Sequence, residues 1–143
     1  MPESAGKSPS SLSERARAFI AAPRFAVVST IEPDGSPLQA VVWYLLDGDD
    51  LVFNSAVGRR WPANLLRDRR AALTVVDGYA YVELRGRVTV DEDPEHGLEV
   101  ISALARRYHP DDPEKVRGQI EVFRTQQRVT FRLAAKRVLE HFE

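Results

Sequence analysis

The sequence contains no cysteine, and this absence excludes several kinds of function. A chain of 143 residues without Cys has no disulfide, no thiolate metal site and no cysteine nucleophile. Histidine is scarce as well, since His96, His109 and His141 stand apart without the spacing of metal ligands. We therefore expect no metal site, and the lack of Cys fits a reducing cytosol.

Long hydrophobic runs are also missing. No apolar stretch approaches the roughly 20 residues that a membrane-spanning helix needs, and the N-terminus, MPESAGKSPSSLSE, lacks the apolar core of a signal peptide. We therefore predict a cytoplasmic protein that does not bind a membrane. Residues 1–10, with several Ser, Pro and Gly, are predicted to be a disordered tail, followed by a single domain over residues 11–143.

An overall excess of positive charge is absent too. Twenty Lys and Arg residues face 21 Asp and Glu residues, for a formal net charge of −1. This balance argues against a nucleic-acid binder, which needs a basic surface. Positive charge is nevertheless concentrated between residues 59 and 70, where Asp68 is the one acid among five arginines: Arg59, Arg60, Arg67, Arg69 and Arg70. Any attraction for anions must therefore be local.

The rest of the chain shows strand periodicity interrupted by short helices. Strands are predicted over residues 24–31, 38–46, 51–55, 71–77 and 79–90, and again in RVTFRL and KRVLEHF. Helices are predicted over residues 11–22 (opened by a capping box at Ser11 and Glu14), 60–68 and 94–108, and around Val116, Ile120 and Phe123. Short turns make the first three strands a predicted meander. The pattern indicates a mainly β protein with short helices, an α+β fold built on a closed or partly closed antiparallel barrel.

One predicted strand, over residues 38–46, is apolar on both faces. Val42 and Tyr44 lie on one face and Val41 and Trp43 on the other. A strand of a small monomeric barrel is expected to show one polar face to water. The predicted strand RVTFRL has this alternation, with Arg128, Thr130 and Arg132 between its apolar residues. The doubly apolar strand therefore needs a second buried environment, which is either a subunit interface or a flat aromatic ligand.

The arginines fall into two groups. Arg67, Arg69 and Arg70 read as a solvated helix end, where cations are favoured by the helix dipole. Arg59 and Arg60 follow Gly58, which lets the backbone turn, and they precede the start of a helix. Backbone N–H groups and two guanidinium groups at this place make a phosphate cradle. No serine-hydrolase elbow, P-loop or dinucleotide fingerprint occurs, so catalytic residues stay unknown.

Four segments carry a family resemblance. They are GRRWPANLLRD (residues 58–68), the pair Trp43-Tyr44, ELRGRV (83–88) and ALARRYH (103–109). From about residue 25 to residue 139 the chain resembles the flavin and deazaflavin oxidoreductases of the split β-barrel, which include pyridoxamine-phosphate-oxidase-like proteins and reductases that depend on coenzyme F420. The resemblance implies an antiparallel split barrel of the FMN-binding type.

The resemblance also implies a site. In such proteins the cofactor lies at the interface of a homodimer, its phosphate is held by basic residues and its ring rests on the second and third strands. The implied cofactor-binding residues are Gln39, Val41, Trp43, Asn54, Ser55, Arg59, Arg60, Trp61, Asn64 and Tyr79, with Tyr79 or Tyr81 reaching over from the partner. Many relatives have Lys in place of Trp61 and Arg in place of Ala63.

The resemblance implies an F420H2-dependent reductase that acts on a small organic substrate. With two cations fewer around the phosphate, the cradle suits the singly charged phosphodiester of F420 better than the terminal phosphate of FMN. The product proton would come from solvent or from Tyr44 or Tyr79. Two alternatives stay open: an FMN-dependent oxidase or reductase of the same fold, and a protein that binds a flavin, F420 or a tetrapyrrole without turnover.

Overall fold

The computed structural model describes residues 12–142, so the tail predicted over residues 1–10 lies outside the described residues. The helices are α1 (Glu14–Ala21), α2 (Arg60–Arg67), α3 (Pro94–Tyr108) and α4 (Pro113–Phe123). The strands are β1 (Ala26–Ile31), β2 (Pro37–Val42), β3 (Leu45–Asp47), β4 (Asp50–Ala56), β5 (Arg70–Asp77), β6 (Ala80–Asp91), β7 (Arg128–Ala134) and β8 (Arg137–His141). None of the helices in this part of the chain is long and apolar enough to cross a bilayer.

All eight strands belong to one antiparallel sheet, in the order β2-β1-β5-β6-β7-β4-β3, with β8 also paired to β6. Strand β6 changes partner along its length. Its residues 81–85 pair with β8, and its residues 88–91 pair with β7. The long strand thereby joins the two halves of the sheet, and the predicted antiparallel split barrel is confirmed.

Local sequence signals explain most of the element boundaries. Gly35, in the predicted turn before β2, has a φ of +89°, a conformation that glycine adopts without strain. Helix α3 has the predicted bounds, and its N-cap is Asp93, whose carboxylate accepts a hydrogen bond from the backbone N–H of Glu95. The cap of α1 was predicted at Ser11, which lies outside the described residues; the N-cap is Ser13, whose hydroxyl accepts from the N–H of Ala16.

The predicted single strand over residues 38–46 is wrong, because the chain leaves the sheet at Trp43 and Tyr44. The Tyr44 hydroxyl lies 2.8 Å from the carbonyl oxygen of Ile20 and 2.9 Å from that of Ala22, so the side chain is held at the C-terminal end of α1. Strand β2 therefore pairs with β1, whereas β3 pairs with β4. The predicted meander of three strands is wrong for the same reason: its third strand, β4, pairs with β3 and β7.

The polar face predicted for β7 reaches solvent only towards the end of the strand, where the Arg132 side chain is 40% exposed. Arg128 is 3% exposed and Thr130 is 4% exposed. Helix α3 covers them, because Gly97 brings its backbone against β7: a Cβ atom at Gly97 would lie 2.8 Å from the Cβ atom of Arg128. Strand β7 therefore has buried side chains on both faces at its start, and a charged side chain is enclosed.

Candidate functional site

A cleft of about 390 Å³ opens beside the break between β2 and β3. One wall comes from the ends of β1 and β2, the floor from β4 and β7, and the other wall from α3 and α4. Six of the ten predicted site residues line it: Val41, Trp43, Asn54, Ser55, Arg59 and Trp61. Residues that sequence reasoning did not assign complete the lining: Phe25, Val42, Ile101, Gln119, Val122, Phe123 and Arg128.

Aromatic side chains fix the shape of the cleft. The Trp43 ring stacks on Tyr108, with centroids 5.2 Å apart and an angle of 11° between the planes. Trp61 packs on Phe53 and Phe131, with centroids 5.8 Å and 5.6 Å away. Trp61 thus belongs to the core and presents only part of its ring to the cleft, being 9% exposed. Both tryptophans of the chain line the cleft, so intrinsic fluorescence reports on its occupancy.

Two buried polar atoms among the lining residues have no hydrogen-bond partner among the described residues. They are the Ser55 Oγ atom, on β4, and the Gln119 Oε1 atom, on α4. Unsatisfied buried polar groups are rare in native structures because each costs free energy. A hydroxyl and an amide oxygen in this position fit a ligand that carries hydrogen-bonding groups on a flat ring.

Two arginines bring positive charge to the cleft. Gly58, with a φ of +105°, turns the chain after β4 so that Arg59 stands at the N-terminus of α2 with its side chain exposed. The side chain of Arg59, the N-cap residue, makes no capping hydrogen bond within the described part of the chain. Arg128, at the start of β7, is buried instead: its Nε donates to the Asn54 Oδ1 atom (2.9 Å) and its Nη1 donates to the Gln126 Oε1 atom (2.6 Å). Burial, and then the charge of Arg59, lower the pKa of Arg128 to about 10.

Four predicted site residues lie outside the cleft lining. Arg60 pairs with Glu32, at 2.5 Å between Nη2 and Oε1, and its hydrogen bond lowers the pKa of that carboxyl group. Asn64 donates to Thr30 (3.1 Å) and to Glu32 (3.3 Å). The remaining two are Gln39, which donates to the Ser29 hydroxyl at 3.0 Å, and Tyr79, which is 86% exposed in the turn between β5 and β6.

Tyr44, a predicted proton source, does not line the cleft. It is fully buried, and its hydroxyl contacts the carbonyl oxygens behind α1. Burial raises its pKa to about 12. Its observed contacts are those of a structural residue, because the side chain holds the break between β2 and β3.

The polar lining residues that the sequence did not predict, Gln119 and Arg128, come from α4 and β7. Gln119 lies on the helix predicted from the apolar spacing of Val116, Ile120 and Phe123, and both Gln119 and Phe123 line the cleft. Arg128 lies in an alternating strand, where a charged residue normally faces water. A sequence signal did exist for Arg128: Gly97, inside a helix, is a residue that helices disfavour unless a close contact requires it.

The chain is similar to known proteins in sequence and in fold. The family model of pyridoxamine 5'-phosphate oxidase matches residues 12–142. The F420H(2)-dependent biliverdin reductase of Mycobacterium tuberculosis (strain CDC 1551 / Oshkosh) is 29% identical over 113 residues, which are 78% of this chain and 82% of that protein.

Solved structures share the fold. The structure of an F420 reductase matches with a TM-score of 0.66 and 25% identity, covering 86% of this chain and 94% of that chain. A conserved hypothetical protein from Mycobacterium tuberculosis matches with a TM-score of 0.73 and 24% identity, covering 92% of this chain and 91% of that chain. A FAD and heme binding protein from Mycobacterium smegmatis has a TM-score of 0.63 and 19% identity, covering 87% and 67% of the two chains.

Proposed function

The chain belongs to the pyridoxamine 5'-phosphate oxidase family, and from that membership we propose that it is an F420H2-dependent reductase that acts on a small organic substrate. Two relatives named for F420 support the choice of cofactor. The observation that carries the proposal is the pair of unpartnered buried atoms, Ser55 Oγ and Gln119 Oε1, in a cleft with aromatic walls.

The chain's own residues supply binding and orientation. Trp43, fixed against Tyr108, offers an apolar surface to a flat ring. Ser55 and Gln119 then offer a hydrogen-bond donor and two acceptors to the polar edge of that ring. Arg59, exposed and without an ion pair among the described residues, is proposed to bind the cofactor phosphate. Arg60 stays a predicted phosphate ligand, but its ion pair with Glu32 must break before its guanidinium group can bind a phosphate.

Trp43, Ser55, Gln119 and Arg59 would hold a reduced deazaflavin, which would supply hydride chemistry when bound. The protein's part is to exclude water from the ring and to hold the substrate against it. No Asp, Glu, His, Lys or Tyr is among the described residues that line the cleft. We therefore propose that the proton of the product comes from water or from a residue that a partner subunit adds.

The proposed substrate class is a conjugated organic acceptor, and biliverdin is the first one to test, because the relative from Mycobacterium tuberculosis is named for it. We further propose that a homodimer holds the cofactor at its interface. Val41, 68% exposed on β2 and part of the cleft lining, is an apolar side chain that a second subunit would cover.

The test uses the purified full chain with F420 and FMN in separate titrations, followed through the fluorescence of the two tryptophans. We expect saturable quenching with F420 and oxidation of F420H2 in the presence of biliverdin. Binding of FMN alone would replace the proposal with an FMN enzyme of the same fold. Tight F420 binding with no turnover of any acceptor would make the protein a cofactor carrier.

A further inference from the structure

We infer that Arg128 binds an oxyanion of the ligand in the cleft, so that the anion site consists of Arg128 and Arg59. The assignment of that oxyanion to the phosphodiester of F420 rests on the proposed function. Arg128 is one of the lining residues, and neither the predicted cradle nor the family motif includes it.

The position of Arg128 is imposed by packing. Gly97 of α3 lies directly over it, since a Cβ atom at Gly97 would be 2.8 Å from the Arg128 carbonyl oxygen as well as from its Cβ atom. The side chain extends towards Asn54 on β4, and its guanidinium carbon lies 5.0 Å from the centroid of the Phe123 ring. The guanidinium group therefore reaches the cleft with its stem enclosed.

The charge of Arg128 has no counter-charge among the described residues. Its observed hydrogen-bond partners are the amide oxygens of Asn54 and Gln126, and both are neutral. By contrast, each described arginine side chain that does pair with an acid is at least 28% exposed. A buried cation is costly unless it is paired with an anion. The two amides orient the guanidinium group, and three of its five N–H donors remain for a ligand.

Arg59 lies close enough to Arg128 for its charge to lower the pKa of Arg128. At neutral pH Arg128 is protonated, because a pKa of about 10 leaves it charged. Two like charges at one edge of a cleft repel each other, and an oxyanion between them removes that repulsion. A phosphodiester or a carboxylate could be this oxyanion. Comparing the affinities of ligands with and without a phosphate group distinguishes the two.

The experiment compares two pairs of ligands by their affinities, measured through tryptophan fluorescence. One pair is F420 and the phosphate-free deazaflavin that ends at the ribityl chain, and the other pair is FMN and riboflavin. Arg128→Gln is expected to weaken binding of the phosphate-bearing member of each pair roughly 10- to 100-fold. The phosphate-free members should bind as they do to the unaltered protein. Arg87→Gln, which removes an exposed charge outside the cleft lining, is the matched control and should leave all four affinities unchanged.

A second variant keeps Arg128 in place. Gln126→Glu puts a carboxylate at the acceptor position 2.6 Å from Arg128 Nη1. We expect a more stable protein, because the buried charge gains an internal partner, and a weaker affinity for F420, because that partner competes with the phosphate. If Arg128 were only structural, Gln126→Glu would raise stability and leave F420 binding unchanged, which would overturn the inference.

The remaining outcomes are separable. Unchanged F420 affinity together with a raised KM for a carboxylate substrate in Arg128→Gln would move the oxyanion from the cofactor to the substrate. If the unaltered protein bound neither F420 nor FMN, the proposed function would fail. The anion site would then be decided by titration with inorganic phosphate, followed by the NMR signal of the Arg128 Nε–H group, where the absence of a saturable shift would overturn it.

Discussion

Gly97 lies so close to Arg128 that a residue with a Cβ atom at position 97 would force the neighbouring atoms to shift. A Cβ atom on Gly97 would stand 2.8 Å from both the Cβ atom and the carbonyl oxygen of Arg128. Such distances are shorter than van der Waals contact, and one of the two atoms belongs to the backbone of β7, which cannot turn aside. This contact sets the distance between α3 and β7 and thereby the burial of Arg128.

Gly97→Ala is therefore expected to destabilise the protein by about 1–3 kcal/mol, since overpacking at a fixed contact forces the backbone to shift. The same shift moves Arg128 and should weaken F420 binding. Gly118→Ala is the matched control, because a Cβ atom there meets nothing within 4 Å and Ala favours the helix. Urea unfolding and F420 titration of both variants check the prediction. Equal stability of the two variants would contradict it.

Arg59→Gln is expected to weaken F420 binding roughly 10- to 100-fold, the usual cost of losing one charge-assisted contact to phosphate. Arg60→Gln should cost less, because Glu32 already neutralises much of the charge of Arg60. Arg69→Ala, outside the cleft lining, should cost little. Affinities measured by fluorescence titration rank the three variants. Equal losses at all three positions would indicate a diffuse basic patch instead of a defined site.

Ala63→Arg tests the choice between the two cofactors. Ala63 is exposed on α2, so a longer side chain fits there. The added cation should raise the affinity for FMN, whose phosphate is a dianion, more than the affinity for F420. Ala63→Gln controls for side-chain length. The ratio of the two dissociation constants, measured at low and high salt, is the readout, and an unchanged ratio would count against a phosphate near α2.

Val41→Glu tests the proposed dimer. We expect the unaltered protein to sediment at about twice the chain mass of 16.1 kDa at micromolar concentration. A buried carboxylate at the interface should convert it to the single chain. Thr89→Glu, at an exposed strand position outside the cleft lining, should leave the mass unchanged. A monomeric unaltered protein would rule out the interface.

Tyr44→Phe tests whether the Tyr44 hydroxyl stabilises the segment between β2 and β3 or donates a proton in catalysis. The hydroxyl contacts two carbonyl oxygens that keep other donors, Arg24 N–H on Ala22 and an Arg107 N–H on Ile20. We therefore expect a loss of about 1 kcal/mol in unfolding free energy, the net value of one hydrogen bond. The turnover number and its pH profile should stay as they are. A large fall in turnover with normal stability would make Tyr44 the proton donor.

The sequence identified most elements and missed the places where distant residues decide the structure. Helix α3 has its predicted bounds because its cap and its apolar spacing are local. The break between β2 and β3 at Trp43 and Tyr44 could not be predicted from the apolar sequence of residues 38–46. Its cause is a contact of Tyr44 with Ile20, which lies more than 20 residues away in the chain. For the same reason the pairing of β4 with β7, rather than with β2, could not be read from turn lengths.

The site shows the same division. Residues on the strands and in the arginine loop, such as Ser55 and Arg59, follow from pattern and resemblance and do line the cleft. Gln119 lies on a helix that reads as amphipathic, and only its contacts reveal the unpartnered oxygen. Arg60 was predicted beside Arg59, yet the two adjacent side chains diverge because Glu32, buried after β1, holds one of them.

The break between β2 and β3 also determines where this chain can be cut. The two strands are consecutive in sequence and form opposite edges of the sheet, so the peptide bond between Trp43 and Tyr44 joins no hydrogen-bonded pair of strands. The two ends of the described chain meet elsewhere, where Ser13 donates to Glu140 at 2.8 Å and the rings of Phe19 and Phe142 lie 5.5 Å apart. A circular permutant that begins at Tyr44 would therefore keep every strand pairing, and its new C-terminal residue, Trp43, would line the cleft, where a tether, a dye or a second enzyme could be attached within reach of the ligand.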